Sequence, residues 1–250
     1  MNSLDPDWIV PDWPAPANVR AFITTRAGGF SRGPFASFNV GLRSGDEASA
    51  VAANRERLRS MLPDEPKWLR QVHGNSVVEA DSLADSQVNA TEADAAIARR
   101  PGTVCAVLIA DCVPVLLADR AGTTVAIAHA GWRGLSSGVV EKTVEQTALA
   151  PEELIAYLGP GIGPQSFEVG ADVRDAFLVR DPGAAAAFSP HSPGKWLADL
   201  FALARRRLTA LGVTNVYGGG DCTYSDPKRF FSYRRERTTG RMAAVIWRDE

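Results

Sequence analysis

The sequence is poor in metal-ligating and disulfide-forming residues and has no long apolar run. Its 250 residues include three cysteines and three histidines. An odd number of cysteines excludes a fully paired disulfide framework and is typical of a reducing cytoplasm. No run approaches the roughly 18 apolar residues of a membrane helix. The acidic, proline-rich start lacks the apolar core of a signal peptide. We therefore expect a cytoplasmic protein without membrane association.

Charge is nearly balanced, with 27 basic and 29 acidic residues and a net charge of −2. This balance argues against a general nucleic-acid or membrane-surface binder. A hydrophobic fraction of 45% is enough for a large core. Repeats, low-complexity tracts and flexible linkers are absent, so we expect one monomeric domain over residues 1–250, with 1–18 as an N-terminal extension.

Helical and extended patterns alternate along the chain. Helices are predicted in 46–62, 136–149, 171–178 and 196–212, the second capped by Ser136 or Ser137. Extended segments are predicted in 19–41, 67–80, 103–112, 153–163, 213–220, 230–236 and 241–249. Interleaved helices, strands and hairpins predict an α/β (α+β) fold, in which mixed β-sheets are layered and flanked by helices.

Residues 110–134, ADCVPVLLADRAGTTVAIAHAGWRG, predict a β-hairpin. If its turn is centred between Arg120 and Ala121, Cys112 lies opposite His129. Opposed residues of an antiparallel pair have Cβ atoms about 5 Å apart on one face. Pro114, which cannot donate a ladder hydrogen bond, predicts a bulge. The pattern thus brings a thiol and an imidazole together.

His73 ends another extended stretch, just before a Gly-Asn turn, and could join Cys112 and His129. Two imidazoles and a thiolate form a good zinc donor set, and three protein ligands leave one position open. Gly131 and Gly134 would allow close backbone approach to a ligand. The alternative is structural, with Cys112 as a small buried hydrophobe and His129 as a satisfied core histidine.

Several charged residues are further candidates with structural alternatives. Asp111 could be catalytic or stabilise a turn, and Arg133 could bind an anion or a surface acid. Glu168, after a Gly/Pro loop, could be an acid/base group or an ordinary exposed glutamate. In the basic tail, Arg234, Arg235 and Arg241 could form a phosphate pocket, since arginine binds phosphate bidentately. A nucleic-acid platform or a solvated strand would be the alternatives there.

The sequence resembles the laccase-domain family, formerly called polyphenol oxidases. The resemblance rests on motifs that follow one another over residues 20–245: TTRAGGFSRGPFASFNVG, WLRQVHG, ADCVPVLLAD, HAGWRG, LGPGIGPQSFEVG, CTYSDPKRFFSYRRE and TTGR. It implies zinc at His73, Cys112 and His129, and a layered sandwich similar to cysteine hydrolases. It also places Arg26, Asn39, Gln71 and Glu168 near the site.

Members of this family have been described as zinc-dependent purine nucleoside phosphorylases and, in a bacterial branch, as peptidoglycan editing factors. The resemblance implies phosphorolysis of adenosine, inosine or methylthioadenosine to a free base and ribose 1-phosphate, with adenosine deamination as an additional activity. The small-molecule partners would then be a purine nucleoside and phosphate. The common deaminase signature, H-x-E followed by P-C-x-x-C, is absent.

Two other functions stay open from the sequence. The first is an amidase for a UDP-muramoyl-peptide precursor, using zinc hydroxide or Cys112 activated by His129. The second is a non-enzymatic metal-binding module. A laccase mechanism lacks ligands, because three histidines cannot supply an electron-transfer copper site and a trinuclear cluster. Copper is an alternative metal at the proposed zinc site.

Overall fold

The computed structural model describes residues 5–250. The β-strands are β1 (Val19–Ile23), β2 (Val77–Glu79), β3 (Ala95–Ala98), β4 (Cys105–Ile109), β5 (Val113–Asp119), β6 (Val125–Ala130), β7 (Leu154–Leu158), β8 (Glu168–Gly170), β9 (Phe188–Pro190), β10 (Lys195–Ala198), β11 (Asn215–Gly218) and β12 (Met242–Arg248). The α-helices are α1 (Ala48–Arg59), α2 (Trp132–Ser137), α3 (Val139–Thr147), α4 (Ala171–Leu178), α5 (Leu200–Leu211) and α6 (Tyr233–Glu236).

The strands form three sheets. A mixed six-stranded sheet has the order β11-β7-β5-β6-β3-β2, in which β11–β7 and β2–β3 are parallel pairs. An antiparallel sheet has the order β1-β12-β4, and a smaller antiparallel sheet has the order β8-β10-β9. This mixed α/β architecture confirms the fold class predicted from the sequence.

Alternate residues of β5 point into two different cores. Val113, Val115 and Leu117 pack with helices α2 to α5, whereas Leu116 and Ala118 face the β1-β12-β4 sheet. Because β5 is buried on both faces, its sequence is continuously apolar. A third core on the far side of the β1-β12-β4 sheet includes residues of α1. The layers are therefore helices, sheet, sheet and helix.

The N-terminal segment packs against this layered body. Trp8 is buried and stacks on Phe22 with ring centroids 5.1 Å apart, and Ile9 forms a bridge with Ile23. Residues 1–4 of the predicted extension lie outside the described residues. Between residues 5 and 250, no helix has the length and apolar character needed to cross a membrane.

Four local predictions were wrong. Residues 196–198 belong to β10, so the helix predicted over 196–212 begins only at Leu200. Residues 233–236 form helix α6 instead of a strand, because the Ser232 hydroxyl caps the helix by accepting from Arg235 N. Ser136 and Ser137 end α2 instead of capping α3, and Gly138 in a left-handed conformation separates the two helices. Residues 67–76 contain only isolated bridges, and β2 begins at Val77.

The predicted hairpin is present, but its register differs. Pro114 lies opposite His129, and Val113 lies opposite Ala130. The Asp119 carboxylate accepts hydrogen bonds from the backbone amides of Thr123 and Thr124, which draws both threonines into the turn. The pairing is shifted by two residues, and side chains alternate with period two, so each keeps its predicted face. The ladder continues through Pro114 without the expected bulge.

Candidate metal centre and its cavity

Cys112 lies where the chain crosses from one sheet to another. Strand β4 belongs to the β1-β12-β4 sheet and β5 to the six-stranded sheet, and only residues 110–112 connect them. Asp111 makes this crossing with a φ of 99°, in a region that non-glycine residues rarely adopt. The short crossing fixes Cys112 at the edge between the two sheets, near the end of β6.

His129, at the end of β6, is oriented by a buried carboxylate. Its Nδ1 lies 2.9 Å from Asp94 Oδ1, and its backbone amide donates to the Asp94 carbonyl at 2.7 Å. Burial raises the pKa of Asp94, but its hydrogen bonds with His129, Gly74 and Val72 lower it overall, so the carboxylate is ionised. Nδ1 therefore carries the proton, and Nε2 is the atom available to a metal.

Asp94 also holds the turn that carries His73. Its carboxylate accepts hydrogen bonds from the backbone amides of Val72, His73 and Gly74 at 3.2, 3.0 and 2.7 Å. His73 has a φ of 59°, which costs free energy for a residue with a Cβ atom. Four hydrogen bonds to one buried carboxylate offset that cost. One side chain thus positions both histidines.

His73, Cys112 and His129 form a compact group, which we call the metal cluster. Their candidate ligand atoms all lie within 4.8 Å of one another. The two imidazole centroids are 5.0 Å apart. Gly131 leaves the space that the cluster fills, because a Cβ there would lie 2.7 Å from Cys112 Sγ and 3.3 Å from His73 Cδ2. The sequence-based grouping of these three side chains is therefore present in the structure.

The metal cluster fits a borderline metal such as zinc. Zinc binds imidazole nitrogen and thiolate sulfur at about 2.0–2.3 Å, so two ligands of one ion lie at most about 4.6 Å apart. Small side-chain rotations would bring these three atoms to one ion. Within the described chain, no fourth histidine, cysteine or carboxylate joins the group, and His73 is exposed. A three-ligand set with an exposed side is typical of catalytic sites, whereas structural sites have four ligands.

Cys112 and His129 carry opposite charges that stabilise each other. Burial raises the pKa of the Cys112 thiol, but the nearby His129 and His73 lower it overall to about 6. Burial lowers the pKa of His129, yet Cys112 and Asp94 raise it overall to about 9. The thiol is therefore a thiolate near neutral pH, which is the form that binds zinc, whereas the His129 imidazolium must release a proton before its Nε2 can bind.

The metal cluster opens into a cavity of about 620 Å³. This volume is within the range of small-molecule sites. Apolar side chains and five arginines make up much of the lining: Leu42, Leu69, Leu108, Ile162, Phe167, Tyr233, Arg43, Arg55, Arg133, Arg234 and Arg241. We call the five the cavity arginines. A ligand here would meet the metal cluster, apolar surface and positive charge together.

The Asp111 carboxylate also lines the cavity. Its Oδ1 accepts a hydrogen bond from the Thr223 hydroxyl at 2.7 Å, and its Oδ2 accepts one from Arg234 N at 2.7 Å. Asp111 therefore ties the sheet crossing to the start of α6. The turn-stabilising interpretation of this residue is the one that its contacts support.

Two family-motif residues support the cavity by binding backbone. Gln71 lines it and clamps Leu108, accepting from Leu108 N at 2.7 Å and donating to Leu108 O at 2.9 Å. Asn39 is buried behind it, and its Oδ1 accepts from the backbone amides of Gly41 and Arg241. Their amide groups thus hold the backbone that carries lining residues.

Arg26 and Glu168 do not line the cavity. Arg26 donates to the carbonyls of Ala36 and Pro227 and pairs with Glu236. The Glu168 carboxylate lies 3.5 Å from the imidazole of exposed His191. The structure therefore separates these two candidates from the metal cluster.

The tail arginines divide into two kinds. Arg234 and Arg241 line the cavity, whereas Arg235 does not. The Arg235 guanidinium donates to the carbonyls of Thr223, Tyr224 and Phe230 and to Glu236. It is therefore occupied in holding the tail together. Arg241 lies close enough to Cys112 and Asp111 for their charges to raise its pKa, although burial lowers that pKa overall.

Sequence reasoning missed Asp94, Arg43, Arg55 and Tyr233. Asp94 precedes a short alanine-rich strand, and nothing local distinguishes it from a capping residue. Arg55 lies in helix α1, where a charged residue normally indicates a solvated face. The missing signal was tertiary, because each residue reaches the cavity or the metal cluster only when separate elements pack together.

A family model, named relatives and a solved structure all match nearly the whole length of this chain. Residues 20–249 match the family described as multi-copper polyphenol oxidoreductase laccase. A Pseudomonas aeruginosa protein named purine nucleoside phosphorylase is 53% identical over 241 residues, covering 96% of this chain and 98% of the relative. An Escherichia coli K12 protein of the same name is 52% identical with the same coverage. A Neisseria meningitidis crystal structure superposes with a TM-score of 0.93 at 48% identity, covering 98% of this chain and 100% of that one.

Proposed function

The chain belongs to the multi-copper polyphenol oxidoreductase laccase family, and we propose that it is a zinc-dependent purine nucleoside phosphorylase. One observation carries the proposal: a three-ligand metal cluster opens into a cavity that five arginines also line. The relatives named purine nucleoside phosphorylase support the same activity. Phosphorolysis needs both an anion site for phosphate and an apolar surface for the base.

Three of the cavity arginines, Arg133, Arg234 and Arg241, supply the anion site for phosphate. None of the five forms an ion pair with a carboxylate of the described residues, whereas many arginines elsewhere do, including Arg26, Arg57 and Arg235. Guanidinium groups bind phosphate oxygens bidentately. We assign phosphate to Arg133, Arg234 and Arg241, of which Arg241 lies beside Cys112 and Asp111.

His73, Cys112 and His129 would hold the zinc ion. When bound, zinc supplies a Lewis acid that polarises a substrate oxygen. The apolar lining, including Leu108, Phe167 and Tyr233, offers surface for a purine base. In the reaction, an oxygen of hydrogen phosphate bonds to the sugar C1′ carbon, the C1′–N bond breaks, and the base leaves with the proton that the phosphate gives up. Because Glu168 lies outside the cavity, we assign it no part in this proton transfer.

The family description does not require laccase chemistry. The whole chain has three histidines, and two of them are already in the metal cluster. A multicopper site needs many more imidazoles than that. Copper binding at the same three ligands stays compatible with the donor set. The nearly balanced charge supports a small-molecule partner over nucleic acid.

The test is product analysis of the zinc-loaded protein. We expect adenine and ribose 1-phosphate from adenosine, only when phosphate is present. A Cys112→Ala protein purified in parallel controls for contaminating phosphorylases. Inosine formed without phosphate would indicate deamination instead, and an amino acid released from a UDP-muramoyl-peptide would indicate an amidase. Absence of phosphate-dependent adenine release would contradict the proposal.

A further inference from the structure

Two cavity arginines converge on one residue away from the metal cluster. Arg43 Nη2 donates to the Asn89 backbone carbonyl at 3.3 Å, and Arg55 Nη1 donates to the Asn89 side-chain oxygen at 3.0 Å. All three residues line the cavity. We call Arg43 and Arg55 the Asn89 pair. Their common partner brings two positive charges together, although like charges repel.

Arg55 is held rigidly at this place. Its Nε donates to the Val40 carbonyl at 2.8 Å, and its guanidinium lies 4.3 Å from the Trp68 ring centroid. Burial lowers the pKa of Arg55 to about 10, and the charge of Glu65 opposes this shift. The group is thus still charged at neutral pH. A positioned guanidinium loses little freedom when it binds an anion.

The Asn89 pair has no carboxylate to balance it. On the same helix α1, Arg57 pairs with Asp5, and Arg59 lies within 4.0 Å of Asp64 and Glu65. Arg55 is partly buried like these two arginines, but it forms no such pair with a described carboxylate. Among the described atoms, both Nη2 hydrogens of Arg55 and most donors of Arg43 are unused. A buried charge without a partner is costly unless a ligand supplies one.

The Asn89 pair is also distinct from the phosphate site proposed above. Arg234 N donates to Asp111 Oδ2, next to Cys112, whereas Arg43 and Arg55 donate to Asn89. The cavity therefore has one cationic group beside the metal cluster and another at Asn89. A single inorganic phosphate occupies only the first of them. The second needs an anion that enters together with the nucleoside.

We propose that Arg43 and Arg55 form a second anion site, which binds the 5′-phosphate of a purine nucleoside monophosphate. The site rests on the proposed function, because that function places the base and ribose in the same cavity. A phosphate monoester matches two adjacent guanidinium forks in charge and geometry. The substrate class thus includes 5′-phosphorylated purine nucleosides as well as free nucleosides.

The test compares the binding of AMP and adenosine by isothermal titration calorimetry in phosphate-free buffer, so that it does not depend on turnover. The proteins are the zinc-loaded native chain, Arg43→Ala, Arg55→Lys and the control Arg120→Ala. Arg120 lies in the β5–β6 turn, outside the cavity, and its side chain reaches the Glu152 carbonyl. Because Arg43 is exposed, the Arg43→Ala substitution should not affect folding of the protein.

We expect the native chain to bind AMP about ten- to a hundredfold more tightly than adenosine, the range for a charge-assisted contact. Arg43→Ala and Arg55→Lys should each remove most of this preference and leave adenosine binding unchanged, while Arg120→Ala should retain it. Equal affinity for AMP and adenosine would overturn the second site only. A preference that survives both cavity substitutions would place the phosphate near the metal cluster and also overturn it. Binding of neither ligand would overturn both this site and the proposed function.

Discussion

The metal cluster and the cavity arginines line one cavity but differ in how their charges are balanced. Behind the cluster, Asp94 accepts four hydrogen bonds, three of them from a single turn and one from His129. The imidazole of His129 and the thiolate of Cys112 stabilise each other's charge. The cavity arginines, in contrast, have no carboxylate partner among the described residues.

This difference indicates which part of the site is built in advance. The metal cluster is held in place by the protein whether or not a ligand is bound, as expected for groups that must meet one ion in fixed geometry. The cavity arginines keep free donors for oxygen atoms that a ligand brings. A site that must bind and release anions benefits from positive charge that the protein itself does not neutralise.

Replacing a cluster ligand should have the largest effect. Cys112→Ala is expected to abolish metal binding at about one ion per chain and phosphorolysis with it, because two imidazoles alone bind zinc weakly. The loss of one small side chain should cost only a few kcal/mol of stability, so the protein stays folded. Metal analysis, circular dichroism and activity measure the three outcomes. Full activity in the folded variant would remove the cluster from the mechanism.

Weakening the support of the cluster should have the next largest effect. Asp94→Asn is expected to lower zinc affinity about ten- to a hundredfold, since a neutral amide in place of the carboxylate would hold the His129 ring less well. The matched control is Asp119→Asn, in the β5–β6 turn, where a buried carboxylate also accepts several hydrogen bonds. Both variants should lose about 1–3 kcal/mol of stability.

Only Asp94→Asn should change the zinc affinity, which competition with a chelator measures. Equal affinity in the two variants would show that Asp94 has a structural role alone. The fixed geometry of the metal cluster, in contrast to the cavity arginines, would then have to come from contacts other than those of the Asp94 carboxylate.

Substitutions in the tail should separate anion binding from structural support. Arg241→Ala is expected to raise the KM for phosphate about ten- to a hundredfold, with a smaller change for the nucleoside. Arg235→Ala should leave the KM for phosphate unchanged and lower the melting temperature, because it removes contacts with three backbone carbonyls. Steady-state kinetics at varied phosphate measure both. A similar rise for both variants would return Arg235 to the anion site.

The smallest expected effect is the pH dependence of the stability that the charged Cys112 and His129 give to the metal-free protein. The pKa of Cys112 is lowered to about 6, so the stability gained from its thiolate is present above the ordinary thiol pKa and is lost as pH falls through about 6. The pKa of His129 is raised to about 9, so its contribution is present below the ordinary imidazole pKa and is lost as pH rises through about 9. The paired charges should therefore persist between about pH 6 and 9.

Ultraviolet absorbance of the thiolate measures this window, with Cys112→Ala as the blank for Cys105 and Cys222. Thiolate absorbance that appears only above the ordinary thiol pKa would contradict the ion pair between Cys112 and His129.

Local sequence determined much of the fold. The apolar runs of β4, β5 and β12 and the stop of α5 at Gly212 appear in the structure where the pattern places them, although α5 begins at Leu200 and not at Trp196. These elements are long or strongly periodic, so their burial in two cores agrees with their local preference. In the tail segment 230–236, the local preference and the observed structure disagree. The Ser232 hydroxyl caps helix α6 there, although the residues of this segment favour a strand.

The sequence by itself also determined the chemistry of the site: two histidines and a cysteine, each at the end of an extended stretch, in a chain with few of either. The tertiary structure decided how these residues are held and what surrounds them. Asp94 is 21 residues from His73 and 35 from His129, and it reaches both only because β3 pairs with β6. Arg43 and Arg55 line the same cavity as Arg234 and Arg241 because α1 and the tail pack around the β1-β12-β4 sheet. Contacts between residues far apart in the chain leave no local pattern, since they depend on packing and not on the preferences of neighbouring residues.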